Sequence, residues 1–166
     1  MIKVVKFGGS SLASATQFAK VGNIIRADEN RRYVVPSAPG KRNAKDTKVT
    51  DMLYQCYALA EADEDFRIPL KKIKERYDSI INGLSLKTSL DEQFKTIEEN
   101  FKNKAGKDYA ASRGEYLNGI VMADYLGYDS YEDAEKYVND NESDILQGGY
   151  SYGDMLLRYE ATEDNY

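Results

Sequence analysis

The stretch Ile2-Lys3-Val4-Val5-Lys6-Phe7-Gly8-Gly9 constrains the fold more than any other part of the chain. Its β-branched residues favour extended backbone. The paired glycines end the strand and let main-chain N–H groups approach whatever lies beyond it. Ser14-Ala15-Thr16-Gln17 follows with the spacing of a capping box, Ser14 being the cap. Phe18, Val21, Ile24 and Ile25 then share one helical face. Arg32-Tyr33-Val34-Val35 predicts a second strand, ended by Pro36. Strand, helix and strand in that order form a βαβ unit with parallel strands.

A polar, basic loop from Ser37 to Lys48 leaves the carboxyl end of the second strand. Thr50-Asp51 opens a helix to about Ala62, with Leu53, Tyr57 and Ala60 on one side. Phe66, Leu70, Ile73, Tyr77 and Ile80 repeat at helical spacing up to a stop at Asn82-Gly83. Leu90, Phe94, Ile97 and Phe101 do the same up to Ala105-Gly106. A further helix is expected from Asp108 to Leu126, with Gly127 at the position just past its end. Consecutive helices do not fit strict strand–helix alternation, so residues 50–106 are expected to form a helical insert on an α/β core. Tyr128–Tyr131 suggests a third short strand and Glu132–Val138 a helical turn. Residues 1–138 are expected to form one unit, and residues 139–166 an acidic polar tail.

Net charge is −5, and the tail holds seven acids against one base, Arg158, which leaves the first 138 residues near +1. A near-neutral body offers no broad basic face to nucleic acid. No apolar run approaches the roughly 20 residues that span a bilayer. The first residues do not resemble a signal peptide, and the single cysteine, Cys56, fits a reducing compartment. The expectation is a cytoplasmic protein with neither membrane nor nucleic-acid partner. There is no histidine, which removes imidazole triads and imidazole-based metal sites. Asp140-Asn141-Glu142-Ser143-Asp144 fails the twelve-residue calcium-loop pattern, and no metal site is expected.

Three segments could carry chemistry. In Lys6-Phe7-Gly8-Gly9-Ser10-Ser11 the glycines let backbone N–H groups reach an anion, the serines add donors and Lys6 adds a full positive charge. The chain contains neither a Walker loop nor a dinucleotide fingerprint. A plain glycine turn with polar caps is the competing account. Pro36-Ser37-Ala38-Pro39-Gly40 also follows a strand, and ligands of open α/β sheets sit outside such strand ends. Ser112-Arg113-Gly114-Glu115 puts a glycine in a helix, where it costs about 1 kcal/mol against alanine. That suggests a break or the close approach of a ligand. Glu115 could hold an ammonium group, and Arg113 a carboxylate or phosphate. A solvated Arg113–Glu115 surface pair is the simpler alternative.

Together these segments resemble aspartate kinases, a branch of the amino-acid kinase family. Lys6-Phe7-Gly8-Gly9-Ser10-Ser11-Leu12-Ala13 is similar to the family's opening signature. Val34-Val35-Pro36-Ser37-Ala38-Pro39-Gly40 with Thr50-Asp51-Met52-Leu53 is similar to its second block, and Ala111-Ser112-Arg113-Gly114-Glu115-Tyr116-Leu117 to its third. Order and rough spacing agree from residue 1 to about Ala134. The resemblance implies the first part of an α/β three-layer sandwich, mainly parallel, with the helical insert. It implies transfer of the ATP γ-phosphoryl group to the β-carboxylate of L-aspartate, a step toward lysine, threonine and methionine, with Mg2+ arriving as part of the ATP complex. Lys6 would be the catalytic cation, and Gly8, Gly9, Ser10 and Ser11 would hold phosphate. Ser37, Thr50, Arg113 and Glu115 would bind aspartate, Glu115 facing its ammonium group.

The family's glycine- and arginine-rich Ser–Asp motif and its Thr–Asp–Val motif, which serve the nucleotide and Mg2+, do not occur in this sequence. Asn118 stands where many relatives carry a small hydroxyl residue. The implied chain is incomplete for catalysis and self-associates through exposed strand edges or as a homo-oligomer. A non-catalytic relative that keeps amino-acid and anion binding is the alternative. A sister kinase for acetylglutamate, glutamate or a nucleotide monophosphate is a third, disfavoured by the Ser-Arg-Gly-Glu block.

Overall fold

The computed structural model describes residues 1–127 together with Lys136 and Asp140. The expected third strand, the turn after it and the acidic tail lie outside the described residues. The element order is β1 (Lys3–Phe7), a 3-10 turn (Gly9–Leu12), α1 (Ala15–Arg26), β2 (Arg31–Pro36), α2 (Val49–Glu61), α3 (Arg67–Gly83), α4 (Asp91–Lys102) and α5 (Lys107–Tyr125). The class is α/β, a small parallel sheet with five helices.

β1 and β2 pair in parallel, with Val5 opposite Val34, Lys6 opposite Val35 and Phe7 opposite Pro36. The ladder runs one step past the strands, where the Ser37 N–H donates to the Phe7 carbonyl at 3.1 Å. Ser14 caps α1 as its spacing predicts, its side chain accepting from the Gln17 N–H at 3.3 Å. α1 buries Phe18, Val21 and Ile25, each contributing about 1.5–3 kcal/mol of burial. Ile24, expected on that face, is exposed.

The main core gathers Leu12, Phe18, Leu53, Ile73, Tyr77, Ile80, Leu117 and Val121. A smaller cluster, Tyr33 and Val35 with Ile2 and Val4 against them, occupies the sheet separately. α4 buries Phe94, Ile97 and Phe101, with Asp91 and Glu92 in its first turn and Lys102 in its last, charges that suit the helix dipole. α5 is different: Ala110, Gly114, Leu117, Gly119, Val121 and Ala123 are all buried, and its apolar residues form no single stripe. A helix enclosed on most sides needs such small residues.

Two expected stop signals work differently from the reading above. Gly83 is the last residue of α3, and the left-handed position falls on Ser85, with φ 55°. α4 ends before Ala105, and Gly106, with φ 100°, instead begins α5. Gly127, with φ 92°, does sit just past α5 and donates its N–H to the Asp124 carbonyl.

Candidate functional site

The two glycine loops touch. The Gly40 N–H donates to the Gly9 carbonyl at 2.8 Å. A Cβ on Gly40 would lie 2.6 Å from the Gly9 carbonyl carbon and 2.8 Å from the Ser10 nitrogen. One on Gly9 would lie 2.9 Å from the Ala38 oxygen. These are backbone atoms, which cannot swing aside, so both positions require glycine.

Where the loops meet, at the carboxyl ends of both strands, they wall a cavity of about 480 Å3. Gly9 and Ser10 line it from the first loop, and Ser37, Gly40 and Lys41 from the second. Lys48 and Thr50 join them at the start of α2, and Glu115 enters from α5. The first turn of α2 therefore presents its positive end to the same space. An anion can meet main-chain amides and two lysines here, and an amine can meet a carboxylate.

The residues singled out from sequence divide between inside and outside. Gly9, Ser10, Ser37, Thr50 and Glu115 share the cavity, while Lys6, Gly8 and Ser11 are not among its lining residues. Lys6 is exposed on β1, and its side chain makes no hydrogen bond or ion pair among the described residues. Arg113 lies elsewhere. Its guanidinium is sandwiched between the rings of Tyr109 and Tyr116, 4.6 and 4.7 Å from their centroids, and donates to the Ser112 hydroxyl at 2.8 Å. It borders a separate pocket of about 140 Å3 beside Gln93 and Thr96. At 1% exposure it does not form the solvated surface pair that was the simpler alternative.

Gly114 does mark a close approach, but to protein. A Cβ there would lie 2.7 Å from the Ala38 Cβ, so the glycine lets α5 press against the second loop. α5 continues through it unbroken. One turn on, Asn118 is fully buried and its amide nitrogen donates to the Ser37 carbonyl at 2.7 Å. α5 thus fixes Ser37 and supplies Glu115.

Sequence reasoning missed Lys41, Lys48, Arg76 and Tyr77. Arg76 is 4% exposed. It donates to the carbonyls of Gly40 at 2.5 Å, Thr47 at 3.1 Å and Ala13 at 3.4 Å, and lies 3.2 Å from the Asp46 carboxylate. Asp46 also accepts from the Arg42 backbone N–H at 2.9 Å and side chain at 2.7 Å. Its hydrogen bonds with Arg42, aided by the charge of Arg76, hold its carboxyl well below the usual range. Burial lowers the Arg76 pKa, and the like charge of Arg42 adds to that. The Tyr77 hydroxyl donates to the Gly114 carbonyl at 2.6 Å. Complete burial pushes its pKa well up, and the Glu115 charge acts in the same direction. A signal for Arg76 was present: it interrupts the apolar face formed by Ile73, Tyr77 and Ile80.

Among the described residues no group of three or more Cys, Asp or Glu could hold a metal ion, and no helix is long and apolar enough to cross a membrane.

No protein-family model matches the chain. Aspartokinase 3 of Bacillus subtilis strain 168 is 38% identical over 151 residues, which is 87% of this chain and 33% of that protein. An aspartokinase of Chlamydia trachomatis serovar D is 30% identical over 129 residues, 74% of this chain and 27% of that protein. The crystal structure of Clostridium acetobutylicum aspartate kinase superposes with a TM-score of 0.72 at 49% identity, covering 74% of this chain and 28% of that one. The fold is thus an α/β unit of the kind built into amino-acid kinases. The chain belongs to the aspartokinase family, and it spans about a third of the length of the curated relatives it matches.

Proposed function

We propose that this chain forms the amino-acid and phosphate end of a site that transfers the γ-phosphoryl group of ATP to the β-carboxylate of L-aspartate. In that reaction a carboxylate oxygen bonds to phosphorus as the bond to the β-phosphate oxygen breaks, giving aspartyl phosphate and ADP. Both partners are anions, so charge compensation and alignment carry most of the catalysis. Glu115 would hold the ammonium group of aspartate, and the hydroxyls of Ser37 and Thr50 would orient it. Lys41 and Lys48 are the cations that line the cavity and would take its carboxylates, the task first assigned to Arg113. Main-chain N–H groups at Gly9 and Ser10 would receive phosphate oxygens, with Gly8 and Ser11 completing the loop. Lys6, at the strand end, would face the phosphoryl group from the nucleotide side. Mg2+ would arrive bound to ATP. The same reading makes the protein a cytoplasmic enzyme of aspartate-derived amino-acid biosynthesis, including that of lysine.

The observation that carries this proposal is the meeting of Glu115, Ser37 and Thr50 with the Gly9–Ser10 loop in one cavity. Calorimetric titration with L-aspartate tests it. We expect saturable binding that E115Q weakens by about tenfold or more, since a hydrogen bond to a charged group is worth about 1.5–3 kcal/mol. No binding by the wild-type chain rejects the assignment. A coupled assay of ADP release in the presence of aspartate and MgATP then separates two readings. Turnover marks a kinase. Binding without turnover marks a non-catalytic relative.

A further inference from the structure

α3 supplies no residue to the 480 Å3 cavity, yet two of its consecutive side chains reach all three segments that wall it. Arg76 bonds Ala13, where the first loop ends, and Gly40 and Thr47, near the two ends of the second loop. Tyr77 bonds Gly114, the neighbour of Glu115. Consecutive helix positions are about 100° apart, so one side chain faces the loops while the next faces α5.

Holding a guanidinium inside the protein is unfavourable unless its donors are satisfied. An aliphatic side chain would fill the same place without that penalty. The three carbonyls that Arg76 satisfies come from separate points of the chain. Gly40 lines the cavity, Thr47 adjoins its Lys48, and Ala13 ends the loop that brings in Gly9 and Ser10. The Arg76 Nε has no partner among the described residues. Asp46 adds a second tie, because it binds Arg76 and Arg42 together. The planar fork of arginine can serve several acceptors at fixed angles, which a lysine ammonium cannot reproduce.

We propose that Arg76 and Tyr77 are positioning residues of this cavity. The guanidinium sets the spacing between the two glycine loops, and the phenol sets the placement of Glu115. α3 is thereby part of the site's machinery although none of its residues lines the cavity. The inference rests on the aspartate-site reading, and its test keeps the two separable.

The test uses the full chain with R76M, R76K and Y77F. Methionine roughly conserves volume, and Asp46 retains Arg42, so R76M leaves no unpaired charge behind. Two readouts are taken at a temperature where every variant is folded by circular dichroism: L-aspartate affinity, and amide hydrogen exchange of residues 40–49. We expect R76M to speed exchange in 40–49 by about tenfold or more while α4 and α5 stay protected. R76K should stay close to R76M, because charge without the fork does not restore the spacing. Y77F should weaken aspartate binding by about tenfold, the size of one buried hydrogen bond lost beside a charged ligand group, and leave exchange in 40–49 unchanged. Wild-type affinity in both R76M and Y77F overturns the proposal. So does a loss of protection spread evenly over all helices, which marks general destabilisation. If the wild-type chain binds no aspartate, the functional reading fails by itself, and unaltered exchange at 40–49 in R76M still overturns the positioning role.

Discussion

Gly114 shows how a single residue can serve packing and site together. Replacing it by alanine would add about 1 kcal/mol of helix propensity. The new methyl would sit 2.7 Å from the Ala38 Cβ and 3.4 Å from a Leu53 methyl, and overpacking of that kind costs about 1–3 kcal/mol. The clash should win, because Ala38 belongs to a loop that Gly9, Asn118 and Arg76 all restrain. We expect G114A to be destabilised by about 1 kcal/mol net in urea unfolding, with weaker aspartate binding as Ser37 is displaced. A stabilised G114A would show that the loop yields. Asp46 gives a second prediction, in pH. Its folded pKa is depressed by Arg42 and Arg76, so its contribution is complete above the unfolded carboxylate value of about 3.9. It is lost as pH falls below that value toward the folded one. The melting difference between wild type and D46N should therefore be flat from about pH 5 to 8 and shrink below about pH 4. A difference that grows on acidification would contradict the network. Such side-chain partnerships are where sequence reading was weakest. Tyr109 and Tyr116 stand four residues before and three after Arg113 on α5, a helical spacing that the sequence contained, whereas only tertiary contacts decide that Arg76 clamps loops.

Periodicity was informative at the scale of elements, because it records which face is buried. The Ile73–Tyr77–Ile80 and Phe94–Ile97–Phe101 faces and the Ser14 cap all lie where spacing predicts. Helix ends were less legible. The left-handed residues at Ser85 and Lys104 are not glycines, so the usual marker was absent. α5 was legible as a helix but not as a central one, since small residues carry little apolar signal. α2 offers a probe of how tightly the insert is packed. Cys56 is fully buried, donates to the Phe66 carbonyl just before α3, and burial pushes its pKa up to about 12. Thiolate is the reactive form, so labelling of native protein by a disulfide reagent at pH 8 should be limited by opening of the α2–α3 packing. We expect labelling to accelerate in urea in step with loss of helix. Rapid stoichiometric labelling of the folded chain would mean that α2 and α3 separate far more readily than their burial implies.

For the molecule as a whole, the βαβ start and the run of helices were enough to read an α/β class, and parallel pairing followed from the crossover helix. How β1 and β2 are finished at their edges was not legible, because edge pairing is a long-range property. Among the described residues each strand pairs only with the other. A two-stranded sheet contributes little stability alone, so the burden falls on the helical core around Leu53, Ile73, Tyr77 and Leu117. Leu117 is fully buried in that core, whereas Val5 on β1 is only half-buried. We therefore expect Leu117→Ala to lower stability by about 2–5 kcal/mol in urea unfolding, and Val5→Ala by clearly less. Equal losses in the two variants would show that the sheet contributes as much to stability as the helices do.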